Sequence, residues 1–588
     1  AIGGPDIDTA SYAHATTGVV ASLTTGSLAI GPVVSITGDA VGDTYIRIEN
    51  LAGGTFSDTL IGDATTNNLS GGAGNDLLEG LGGADVLDGG VDVDTVSYIH
   101  AAATVVASLT TSFSTGPVVI QSGDATGDTF VNVENMLGST FSDTLIGDSN
   151  SNALSGDAGD DVLEGYSGAD VLDGGIGNDS ASYAHATGVV TASLTTSFAV
   201  GPAVVLSGDA NGDTYLSIEN LIGSDFDDIL IGNNNAANFI SGGGGNDVLE
   251  GIGGNDTYDG GTGINTVSYA HSGAGITASL ALPGGNLGAA AGDTYTNIQN
   301  MLGSGFDDVL TGDANNNILT GGVGNDSLSG GGGTDILYGG TGNDTLIDDG
   351  SGFAKLYGES GADTFVITSA DGNLDFIDGG DKSALRLAGA WTNADSGDTI
   401  VWNPVAGGNR IDVDMNTHLI LVRAPVSGNF ISFANIENFT VTGTNSIYIY
   451  LDNYSNTIDV TANGLAYSDY ALYQYAIGSI SADLRITNGV NVTGGSSVLD
   501  NFNLATATWT GTGDTLKGIE HIYNGSLYAD NIYGSDGVNN WLVGALGADY
   551  INGGTGTDTV YLDPYRSQML VASLLSVSQN STLGIVMS

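Results

Sequence analysis

Residues Gly71–Ser97 read GGAGNDLLEGLGGADVLDGGVDVDTVS and divide into three nine-residue units, Gly71–Glu79, Gly80–Asp88 and Gly89–Ser97. Each follows G-G-x-G-x-D-x-U-x, where U is a large apolar residue, although the second and third copies are worn. The glycines permit a tight turn with positive φ. The Asp at position six brings an oxygen into that turn. Positions seven to nine are long enough for a short strand that points Leu78, Leu87 and Val96 inward.

A longer repeat lies above the short one. The segment SYAHA begins at Ser11, and related segments begin at Ser97, Ser182 and Ser268. The motif IEN-L recurs as Ile48–Leu51, Val133–Met136, Ile218–Leu221 and Ile298–Met301, a spacing of about 85 residues. A fixed period of this kind marks a solenoid. Each long unit holds about 40 residues of strand-like sequence and then five nonapeptides. Position six is Asp58, Asn67, Asp76, Asp85 and Asp94 in the first block. It is Asp143, Asn152, Asp161, Asp170 and Asp179 in the second, and Asp228, Asn238, Asp247, Asp256 and Asn265 in the third. The fourth gives Asp308, Asn317, Asp326, Asp335 and Asp344, with inward residues Leu310, Leu319, Leu328, Leu337 and Leu346. Asp363 holds the position in one more unit, and Asp530, Asp549 and Asp558 hold it where the pattern returns. If one coil takes two nonapeptides, Asp76 and Asp94 share one edge and Asp85 lies on the other.

The chain of 588 residues has 67 acidic and 9 basic side chains, a net charge of −58. Such a charge opposes compaction. Mean hydropathy is nevertheless +0.11, which is not the composition of a disordered acidic tail. Because the acids recur at one position of a turn, a cation is expected to complete the fold. Stacked turns offer carboxylates and carbonyls, the hard oxygens that Ca²⁺ takes six to eight of at about 2.3–2.6 Å; Mg²⁺ demands stricter geometry. The Asn turns carry no charge and are expected to bind weakly or to be structural.

The pattern resembles the RTX family, the haemolysin-type calcium-binding repeat proteins. That resemblance implies an all-β, right-handed parallel β-roll or β-helix solenoid holding several Ca²⁺ ions. It also implies secretion by a type I system. The metal ligands expected are the position-six aspartates from Asp58 to Asp558 given above. The expected organisation is a partial unit with the first block (1–97) and three repeat units (98–182, 183–268, 269–369). A degenerate Tyr-rich β region (370–512) and a C-terminal unit (513–588) follow. Within the Tyr-rich region, Tyr448, Tyr450, Tyr454, Tyr467, Tyr470, Tyr473 and Tyr475 suit either a stacked ladder or a contact surface.

Several classes find no support. No basic cluster suggests nucleic acid, and no apolar run reaches the length of a transmembrane helix. With no cysteine there are neither disulfides nor thiolate sites. The start shows no basic-then-apolar leader and no Met, so a processed chain or a piece of a longer array is expected. There is no H-E-x-x-H helix and no G-x-S-x-G elbow; Gly165–Gly168 comes near but lies inside a turn. His14, His100, His185 and His271 recur too far apart to chelate together. The expectation is therefore a non-enzymatic, extracellular calcium-dependent structural protein of a cell-surface layer, filament or adhesin. It would associate with itself or with other surface components. Two alternatives stay open: the carrier part of a secreted lipase, peptidase or epimerase, and a glycan- or surface-binding module.

Overall fold

The structure, a computed structural model, describes residues 2–348 and 354–379 apart from 4–5, 25–30, 111–114, 196–197, 199, 202, 235–236 and 368–373. Beyond 379 it describes the backbone of short strands from Thr399–Trp402 to Gly584–Val586. The chain divides into two compact units, Ala1–Gly273 with Pro283–Asn300, and Ala274–Leu282 with Met301–Ser588.

In the first unit nearly every strand is three residues long, because glycine turns flank each x-U-x triplet. Pairing is parallel and steps by 18 residues: Leu60 stands beside Leu78 and Leu78 beside Val96. On the other wall Leu51 stands beside Leu69 and Leu69 beside Leu87. One coil is therefore two nonapeptides, as expected from the sequence. Leu60, Leu69, Leu78, Leu87 and Val96 have no exposed surface. Each such side chain contributes about 1.5–3 kcal/mol by burial.

The segments between blocks make wider coils. Phe130 pairs with Leu87, Met136 with Val96, and Leu145 with Ala107, strides of 43, 40 and 38 residues. Each segment also founds a sheet. Val20–Ser22 and Val106–Ser108 are terminal strands of two eight-stranded parallel sheets. The repeated tyrosine seals the wide coil. Tyr98 and Tyr183 are buried and donate their hydroxyls to Asp128 and Asp213 at 3.2 and 2.9 Å.

The second unit continues the pattern. Thr277–Ser279, Val309–Thr311, Ser327–Ser329 and Thr345–Asp348 form one wall, with Leu310, Leu328 and Leu346 in register. Ile318–Val323, Ile336–Thr341 and Lys355–Ser360 form the other. Further along, Leu419–Arg423 is antiparallel to both Arg410–Asp414 and Gly428–Ala434, an interruption of the parallel pattern expected there. Parallel pairing then resumes, with Tyr448 in register with Tyr470. The tyrosine side chains of this region, and the position-six residues Asp530, Asp549 and Asp558, lie outside the described residues.

Candidate metal centres

Position-six side chains reach along the stack to the preceding coil. Asp76 Oδ1 accepts the backbone N–H of Asp58, and Asp94 Oδ1 that of Asp76, both at 2.7 Å. On the opposite edge Asp85 accepts from Asn67 at 2.8 Å. Asp161, Asp170 and Asp179 repeat the arrangement on Asp143, Asn152 and Asp161. Asp247 and Asp256 do so on Asp228 and Asn238. In the second unit Asp326, Asp335, Asp344 and Asp363 do so on Asp308, Asn317, Asp326 and Asp344.

The second carboxylate oxygen separates two kinds of turn. In the first turn of each block it accepts the N–H of position two: Gly54 to Asp58, Ser139 to Asp143 and Ser224 to Asp228, each at 2.6 Å, and Ser304 to Asp308 at 2.5 Å. The remaining oxygen of these four accepts from Val19, Val105, Val190 and Ile276. Asp58, Asp143, Asp228 and Asp308 thus have both oxygens engaged by backbone donors. The Asn turns are alike: Asn67, Asn152 and Asn317 accept from position two through Oδ1. Asn67 and Asn152 also donate through Nδ2 to the carbonyls of Glu49 and Glu134.

In the other turns position two is left-handed. Its φ is 109° at Gly72 and Gly90, 93° at Gly175 and Gly243, 113° at Gly322 and 111° at Gly340. The same holds where position two is not glycine: 67° at Leu81 and 75° at Asp157, Tyr166 and Ile252. Left-handed backbone is unfavourable for such residues and persists where the surroundings impose it, often at functional sites. Here the position-two N–H no longer caps the aspartate. Oδ2 of Asp76, Asp85, Asp94, Asp161, Asp170, Asp179, Asp247, Asp256, Asp326 and Asp344 is buried with no hydrogen-bond partner. Asp335 and Asp363 stand in the same kind of turn, after Gly331 and Glu359 at 86° and 68°.

These orphan oxygens face other acceptors. Asp161 Oδ2 and the Gly174 carbonyl converge on the space a Cβ of Gly156 would fill. Asp326 Oδ2 and the Gly339 carbonyl do so at Gly321, and Asp344 Oδ2 and the Gly358 carbonyl at Gly339. Two acceptors without a proton between them, out of water, are costly unless a cation joins them. Burial pushes Asp76, Asp161, Asp170, Asp247, Asp256 and Asp326 up to about 7, and Asp85 and Asp344 up to about 6. Neighbouring carboxylates add to the shift, as Asp94 does for Asp76. Among the described residues no group of three or more His, Cys, Asp or Glu side chains could hold a metal. The ligand set is therefore a carboxylate or two with turn carbonyls. Those are hard oxygens, which fit Ca²⁺.

The sequence reading missed the wide-coil acids that act as position six. Asp128 Oδ1 accepts from Asp85, Asp213 from Asp170, and Asp293 from Asp256. Glu134 Oε2 accepts from Asp94 and Glu219 from Asp179. Their signal in the sequence is the repeated Gly-Asp-Thr at Gly127–Thr129, Gly212–Thr214 and Gly292–Thr294, together with the IEN motif. The histidines do not assemble. His100, His185 and His271 pair through Nδ1 with buried Glu79, Glu164 and Glu250 at 2.7, 2.8 and 2.9 Å. His100 and His185 donate through Nε2 to the carbonyls of Pro32 and Pro117. The hydrogen bond that His185 donates to Glu164 raises the His185 pKa against burial, which lowers it.

Fold and turns together define a calcium-binding parallel β-solenoid. The family model of the RTX calcium-binding nonapeptide repeat, written in four copies, matches residues 61–96, 146–181, 233–267, 300–328, 311–346 and 536–563. The chain carries several copies of the RTX calcium-binding nonapeptide repeat, and such repeats bind Ca²⁺ at multiple sites. Of the four capped first turns, Asp58, Asp143 and Asp228 fall just outside the matched stretches and Asp308 falls inside one. No curated protein matches the chain. RTX repeat proteins are typically secreted. Among the described residues no helix is long and apolar enough to cross a membrane.

Proposed function

We propose that this chain is an extracellular, non-catalytic structural protein of a cell-surface layer, filament or adhesin, and that it folds on meeting calcium after type I secretion. The buried, unpartnered Asp carboxylates carry this reading. They oppose folding where free Ca²⁺ is scarce and become ligands where it is plentiful, at sites of about 10⁻⁴–10⁻³ M typical of extracellular modules. Binding free energy is then folding free energy. The left-handed turns hold the carboxylates, and position-one carbonyls complete the ligand set. Calcium supplies positive charge and nothing catalytic.

Self-association is supported by apolar residues exposed in the strand-like segments of the first three long repeats. Val33, Val118 and Val205 on the wide coils are 87, 87 and 79% exposed. Electron microscopy of the full chain in millimolar calcium tests the proposal. Sheets or fibres that disperse on chelation are expected. Single particles at every calcium concentration would contradict the assembly role.

A further inference from the structure

The wide coils hold a carboxylate pair that the nonapeptide pattern does not contain. Asp94 closes its block at position six, and Glu134 of the IEN motif accepts its backbone N–H at 2.8 Å. Asp179 and Glu219 repeat this at 2.9 Å, as do Asp8 and Glu49. In the third block both members are amides, and Gln299 accepts from Asn265 at 2.7 Å. The change of Asp to Asn thus coincides with a change of Glu to Gln on the next coil.

The third block shows what the amides replace. Asn265 Oδ1 accepts the N–H of Asp247, so Nδ2 is the atom turned into the turn, and it donates to the Asn297 carbonyl at 3.1 Å. Both converge on the Cβ space of Gly260. In the first block Asp94 Oδ2 and the Asn132 carbonyl converge on the equivalent space at Gly89. In the second, Asp179 Oδ2 and the Ser217 carbonyl do so at Gly174. Asp94 and Asp179 have no exposed surface, and both Oδ2 atoms lack a partner. The carbonyls are presented by left-handed residues, Asn132 at 51°, Ser217 at 50° and Asn297 at 53°, which reproduce without glycine the turn of a nonapeptide. In the third block the Asn265 Nδ2–H supplies a donor to the carbonyl; among the described residues no donor stands between the carboxylate and the carbonyl in the first two.

We infer that Asp94 with Glu134, and Asp179 with Glu219, form junction Ca²⁺ sites completed by the Asn132 and Ser217 carbonyls, and that the Asn265–Gln299 pair has replaced the ion with a hydrogen bond. The inference rests on the calcium reading of the array and adds ligands from outside it. Calcium bound per chain, measured by equilibrium dialysis and elemental analysis of the full chain in saturating Ca²⁺, is the test. The variant Asn265→Asp/Gln299→Glu should bind one ion more than the unaltered chain. The variant Asp94→Asn/Glu134→Gln/Asp179→Asn/Glu219→Gln should bind two fewer with its β-sheet circular dichroism retained. Should the second variant fail to fold, the first still decides. An unchanged count in the folded charge-gaining variant overturns the junction sites. An unaltered chain that binds no calcium overturns the array reading itself.

Discussion

Acid should substitute for calcium. The perturbation is removal of all calcium on a chelating resin, followed by a pH series from about 8 to about 5. Asp76, Asp161, Asp170, Asp247, Asp256 and Asp326 titrate at about 7 in the folded, metal-free chain, against an ordinary 3.8. A raised carboxyl pKa means that the folded state holds more protons than the unfolded one between those values. Stability is then fully present below the unfolded pKa and is lost as pH rises through the folded pKa. A shift of about three units is on the order of 4 kcal/mol. Halved for screening by water, each carboxylate still opposes folding at pH 8 by on the order of 2 kcal/mol. Six of them rival the roughly 5–15 kcal/mol of a whole domain. Far-UV circular dichroism and urea midpoints should show the calcium-free chain unfolded near pH 8 and gaining structure as pH falls through about 7 to 5. In saturating calcium the sign reverses, because protons compete for the same oxygens. A calcium-free chain that loses stability steadily on acidification would refute the reasoning.

Further tests separate the two kinds of turn. Asp143→Ala removes an acceptor from the N–H groups of Val105 and Ser139 and should destabilise by about 1–3 kcal/mol with no loss of bound calcium. Asp76→Ala with Asp94→Ala should lower the calcium count, read by calorimetric titration. Gly90→Ala places a Cβ against the Gly72 carbonyl at a φ of 109° and should raise the calcium needed for half-maximal folding several-fold. His185→Gln leaves Glu164 buried without its cation and should cost about 3–5 kcal/mol, seen as a lower urea midpoint in saturating calcium.

The nine-residue period was enough to place Leu60, Leu78 and Val96 in one buried column and Asp76 and Asp94 on one edge. Those features depend only on register, which repeats in the chain itself. The division between Asp58 and Asp76 was harder to see. It turns on the handedness of position two, and Leu81, Tyr166 and Ile252 are left-handed without being glycine. Their conformation is imposed by stacking, not by residue type. Asp128 and Glu134 were hidden because their partners, Asp85 and Asp94, are 43 and 40 residues away across a coil of irregular length. The pairing of Glu79 with His100 spans 21 residues for the same reason.

The most direct test of the whole account is a calcium titration of the chelated full chain at neutral pH, followed by far-UV circular dichroism. A cooperative gain of β-sheet signal with Ca²⁺, reversed by EGTA and not produced by equal Mg²⁺, is predicted. A β-sheet spectrum that is unchanged after rigorous chelation at that pH would contradict it.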